Sequence, residues 1–141
     1  LTTCEWGTAG LVADWLGEVD GAQPHFLGSL TSSNLSAFRQ VLNGAAPGSA
    51  VWPRAEDLDA ETVGTLAAGC RKRFGSDLAL AVGPFPHFDP QAAEPKPLHL
   101  ALATSAGVSL KSIPFALHPA LLRVYAAKQA LNGVRLALLE K

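Results

Sequence analysis

Leu11, Val12, Trp15 and Leu16 fall at i, i+1, i+4 and i+5, one face of a helix predicted from Thr8 to Leu16. Ahead of it, Leu1-Thr2-Thr3-Cys4 reads as the tail of a buried strand that Gly7 ends. Gly17 and Asp20-Gly21 close the helix, and His25–Thr31 reads as a second strand. Ser32 or Ser33 is expected to cap a short helix from Asn34 to Leu42, with Phe38, Val41 and Leu42 inward. A Gly- and Pro-punctuated surface connection then spans Asn43–Pro53. Asp57 or Asp59 caps the next helix, Ala60–Phe74, whose Val63, Leu66, Ala67, Cys70 and Phe74 share a face. Arg71, Lys72 and Arg73 suit its negative C-terminal end, and Gly75 stops it.

Leu78–Val82 is a continuous apolar run, as expected of a strand buried on both faces. The proline-rich stretch Gly83–Pro97 must be an irregular loop. Leu98–Thr104 and Val108–Phe115 flank Ser105-Ala106-Gly107 as a hairpin, and Pro119 opens the longest helix, Ala120–Leu139. The alternation predicts an α/β fold: a three-layer α/β/α sandwich on a mixed, mostly parallel sheet of about five strands. The hairpin contributes its one antiparallel strand.

At 141 residues the chain is expected to form a single domain with a real core. Charged residues make up only 16%, which excludes a disordered chain. The 11 Lys and Arg nearly cancel the 12 Asp and Glu, so no strong field draws nucleic acid or an anionic membrane. No apolar stretch approaches the roughly 20 residues of a membrane span. Cys4 and Cys70 stand alone, outside any C-x-x-C pair, and read as reduced packing residues of a cytoplasmic protein. The absence of methionine and the start at Leu1 are expected of a fragment, with the beginning trimmed.

Three blocks, in order, resemble a known family. The most specific is Glu61-Thr62, Gly69, Cys70-Arg71-Lys72-Arg73-Phe74-Gly75-Ser76-Asp77 and the run Leu78–Val82. Phe26-Leu27-Gly28 followed by Asn34, and Glu94-Pro95-Lys96-Pro97 before a strand, supply the others. Together they are similar to the C-terminal domain of the CinA (competence/damage-inducible) proteins, a family that includes nicotinamide-nucleotide amidases. The resemblance spans nearly the whole chain. It implies the α/β sandwich, a homo-oligomer, and an amidase that turns nicotinamide mononucleotide into nicotinate mononucleotide and ammonia.

The departures bear on that activity. The family's first motif, T-A-E-S-C-T-G-G, carries a serine nucleophile, and here the segment runs from Thr3 to Gly10 with Trp6 at the serine position. An indole has no group that adds to a carbonyl. With Ser33-Asn34 set on the family's S-N, its functional tyrosine falls on Ser32 and its lysine on Ala37. The family's glycine-rich loop, whose backbone amides approach an oxyanion or phosphate, becomes Gly83–Pro90, where three prolines remove donors. The F-x-G-D-R motif becomes Phe115–Pro119, and Arg123 is the basic residue that survives nearby. The resemblance thus implies a catalytically degenerate member with a binding or assembly role and no cofactor. An amidase that still works is the alternative.

Residues left for a residual pocket are Glu5, Thr8, Asn34, Gly83, His87, Lys96 and Arg123, with a nucleotide or a protein as the ligand. Thr8 is either a substitute nucleophile or a helix cap, and capping is the commoner use of such a threonine. Glu5 is expected to hydrogen-bond backbone at the sheet edge. His87, Asp89 and His118 have a spacing that allows a metal site, but paired ligand motifs are missing and the reading adopted is no metal. His25 and His99 are read as strand residues satisfied by local hydrogen bonds. Phe85, Phe88 and Trp6 are expected to pack together, either plugging the pocket or forming an aromatic docking surface.

Overall fold

A computed structural model describes residues 1–43, 58–87, 91, 93–94, 96–114 and 118–139. Along the chain run β1 (Thr2–Glu5), α1 (Leu11–Gly17), β2 (Gly28–Thr31), α2 (Leu35–Asn43) and α3 (Ala60–Phe74). They are followed by β3 (Ala79–Val82), β4 (Leu98–Ala103), β5 (Val108–Ile113) and α4 (Pro119–Leu139). The sheet has the order β2-β1-β3-β4-β5. β1 is parallel to β2 and β3, while β4 is antiparallel to both its neighbours. The mixed sheet and the single reversed strand of the hairpin are those the alternation predicts.

Period-two alternation divides the core. Leu78, Leu80 and Val82, with Leu98, Leu100 and Leu102, pack with Val12 of α1 and Leu122, Ala126 and Val134 of α4. On the other face Ala79, Ala81, Ala101 and Ala103 meet Val63, Leu66, Ala67 and Cys70 of α3, with Phe38 of α2. Large side chains thus fill the α1/α4 side, and alanines let α3 lie close on the other. The apolar run of β3 is buried at every position.

Several boundaries differ from the sequence reading. β2 begins at Gly28 rather than His25, because the amides of His25 and Phe26 bond back to Ala22 O in a turn. His25 is therefore a turn residue, with its carbonyl accepting the Leu1 ammonium. α1 begins at Leu11, not Thr8: Ala9 (φ +49) and Gly10 (φ +89) occupy the left-handed region and cannot continue into the helix. The cap of α2 is Asn34 instead of Ser32 or Ser33; its Oδ1 accepts from Ser36 N at 2.9 Å. Ser32 Oγ accepts one step earlier, from Asn34 N at 3.0 Å. Asp59 caps α3 as expected, and Gly75 (φ +64) ends it. Asp57, Phe88, Asp89 and Phe115 lie outside the described residues.

No helix among the described residues is long and apolar enough to cross a membrane.

Candidate functional site

β1 and β3 lie side by side and parallel, and the chain leaves β1 for α1 on one face and returns through α2 and α3 on the other. In open α/β sheets such a reversal opens a crevice at the carboxyl ends of the strands. Here that point is the turn Trp6–Gly10 facing the stretch from Gly83. The two segments remain zipped together beyond the strands: Trp6 N donates to Val82 O (3.0 Å) and Gly7 N to Gly83 O (3.1 Å). Phe85 covers them. A Cβ on Gly7 would stand 2.7 Å from its ring and 2.8 Å from Gly83 O, so only glycine fits beneath.

Successive residues of β1 point to opposite faces, which separates two side-chain groups. Thr3 and Glu5 lie on the α1 face. Glu5 is fully buried, and its carboxylate accepts four hydrogen bonds. Thr3 Oγ1 (3.2 Å) and Ala13 N (2.8 Å) donate to Oε1, and Thr8 Oγ1 (2.6 Å) and Val12 N (3.0 Å) to Oε2. Glu5 binds backbone as expected, through the amides of Val12 and Ala13, but from an interior strand rather than the sheet edge. The cap of α1 therefore comes from β1, and Thr8 is not the cap. Its buried hydroxyl is committed to Glu5. Arg123 of α4 closes the group from outside, with Nε donating to Thr8 O (2.7 Å) and Nη2 to Ala9 O (3.3 Å).

Trp6 goes to the other face. Its ring pairs with Phe38 of α2, centroids 5.9 Å apart and planes tilted by 43°. Trp6 thus stacks on α2 and Phe85 lies over Gly7, while Phe88, the third aromatic of the expected grouping, lies outside the described residues. A hydrophobic residue four places into α2 was the available signal, but it read only as core. Ser32 N donates to Glu5 O (3.2 Å), and half-buried Ala37 precedes Phe38. Ser32 thus lies beside the end of β1, and Phe38, the neighbour of Ala37, lies against Trp6.

Of the other candidates, Gly83 is buried, with room for no Cβ between Val63 Cγ2 (2.9 Å) and His99 O (3.1 Å). Asn34 is occupied at the start of α2. His87 and Lys96 are exposed and take no hydrogen bond among the described residues. No group of three or more metal-ligating side chains occurs among the described residues. His99 on β4 is bonded locally, as expected, through Nδ1 to Ser112 Oγ at 2.9 Å. At the opposite end of the sheet a cavity of about 660 Å³ lies between Leu16, Phe26, Leu78, Val134 and Leu138. It is remote from the β1–α1 turn.

Burial pushes the Cys4 thiol well above its ordinary pKa, with the charges of Cys70 and Glu5 adding to the effect. Burial raises that of Cys70 as well. Neither is a thiolate at neutral pH, and neither offers a nucleophile.

The architecture is that of an open, doubly wound α/β protein with its switch point between β1 and β3. No protein-family model matches the chain. A CinA-like protein of Pseudothermotoga lettingae is 30% identical over 142 residues, covering 98% of this chain and 33% of that protein. A CinA-like protein of Geobacter sulfurreducens is 33% identical, over 99% of this chain and 33% of its own length. Two solved structures share the fold. The competence or damage-inducible protein of Enterobacter asburiae superposes with a TM-score of 0.79 at 17% identity, over 97% of this chain and 86% of that one. The competence/damage inducible protein of Agrobacterium tumefaciens gives 0.76 at 21%, over 99% and 84%. The chain belongs to the CinA-like family, and it spans about a third of the length of the curated relatives it matches.

Proposed function

We propose that this chain is a CinA-like domain that has lost amide-cleaving chemistry and acts in binding or assembly, in the cytoplasm and as a homo-oligomer. The observation that carries the reading is Trp6. At the position where the family motif has its serine, an indole leans on Phe38, and the nearby hydroxyl of Thr8 is buried and spent on Glu5. Covalent amide hydrolysis needs a hydroxyl with a base beside it. On the motif alignment, Ser32 and Ala37 replace the family's tyrosine and lysine.

The test is ammonia release from nicotinamide mononucleotide by the purified chain. None is expected above the background of a heat-denatured control, and Trp6→Ser is expected to stay inactive because the lysine and tyrosine are also missing. Turnover by the wild-type chain would establish the amidase instead. Stabilisation against heat by a nucleotide without turnover would support retained binding, since a ligand of the folded state raises its stability.

A further inference from the structure

Ser112 and His99 are partners across the antiparallel pair of β5 and β4, with Ser112 Oγ 2.9 Å from His99 Nδ1. Residues directly opposite in such a pair have Cβ atoms about 5 Å apart, so hydroxyl and imidazole meet without distorting either strand. β5 is an edge strand, Ser112 is exposed and His99 is half-buried. The hydroxyl is therefore open to solvent while its partner ring is held. Among the described residues, Ser112 carries the hydroxyl bonded to an imidazole. The pair lies at the same end of the sheet as Trp6: the His99 carbonyl accepts from Gly83 N at 2.9 Å, just beyond β3.

The geometry points to a second reactive site, with Ser112 as nucleophile and His99 as its base, for carboxylic esters with good leaving groups. Ser112 Oγ adds to the ester carbonyl carbon as its proton passes to His99 Nδ1. The bond to the alkoxy oxygen then breaks, and the leaving group takes that proton. Water attacks the acyl carbon and gives a proton to the same nitrogen. The acyl–Oγ bond breaks, the carboxylic acid departs, and the proton returns to Ser112. Solvent exposure limits transition-state stabilisation, which restricts the substrates to esters of acidic alcohols and phenols. The site shares no residue with Trp6, Ser32 or Ala37, so it stands or falls independently of the loss of amidase chemistry.

The probes are p-nitrophenyl acetate, read as phenolate release, and a fluorophosphonate, read as mass added at an identified residue. The expected result is phosphonylation at Ser112 and phenolate release that S112A abolishes and H99Q lowers at least tenfold. Unchanged melting temperatures establish that both variants fold. Release that persists in S112A, or wild-type label spread over other serines with none enriched at Ser112, overturns the proposal. Labelling of wild-type protein decides the matter even where a variant fails to fold, and ammonia release from a nucleotide has no bearing on it.

Discussion

Glu5 has no exposed surface, yet its carboxylate is met by two hydroxyls and two helix amides. A helix N-terminus carries unpaired N–H groups and partial positive charge, and α1, with a glycine at its own cap, has no side chain there to meet them. Glu5 meets both needs from the neighbouring strand. Glu5→Gln keeps the volume but presents two donors where donors already point. Its unfolding free energy is expected to fall by about 2–4 kcal/mol in urea titration, the order of cost for leaving buried donors unpaired. A change below about 0.5 kcal/mol would mean that the amides of Val12 and Ala13 find other acceptors. The pattern Glu5-Trp6-Gly7-Thr8 displays these residues, but nothing in it reveals that Thr8 serves the carboxylate rather than the helix.

Among the elements, α3 is the one most fully written into its own sequence. Asp59 caps it, with Oδ1 accepting from Thr62 N and Thr62 Oγ1, each at 2.8 Å. Val63, Leu66, Ala67 and Cys70 form its buried face, and Gly75 ends it in the left-handed region. These interactions hold the Asp59 carboxyl below its usual pKa. Because the folded value is depressed, the contribution is complete above the unfolded carboxylate pKa near 4 and disappears as pH falls through the lower folded value. Asp59→Ala is expected to cost about 1 kcal/mol at pH 7. That difference from wild type should shrink below pH 4 in parallel denaturant titrations; a constant difference would exclude the charged cap. α1 and α2 were harder to bound because their starts depend on groups outside the repeating pattern. Left-handed Ala9 and Gly10 delay α1, and Asn34 displaces the serines as the cap of α2.

Across the whole molecule, Cys4 on β1 and Cys70 on α3 sit in the alanine-lined layer between sheet and helix. Burial raises both pKa values, so their stabilising contribution is present below the unfolded thiol pKa near 8.5 and is lost as pH rises toward the folded values. Both thiols are expected to react with a disulfide reagent at pH 8 only after urea unfolding. Stability should decline above about pH 9, and less steeply in Cys4→Ala. Fast labelling of the native protein would show that the layer opens readily.

The identities and order of the elements were legible because hydrophobic period and turn residues are local properties of the chain. Leu78–Val82 declared a buried strand, and the Ser105-Ala106-Gly107 turn declared a hairpin, before any tertiary contact was known. The setting of Trp6, Ser32 and Ala37 on the family's motif positions rests on the resemblance in sequence alone. Contacts between residues far apart in the chain were not legible, since alternation tells which residues are inward but not what waits there. Only the folded sheet decided that Trp6 would meet Phe38, that Arg123 would hold the turn after β1, and that Ser112 would stand opposite His99. Those meetings depend on strand register and on which face each helix covers, and both are settled by the packing of all the layers together.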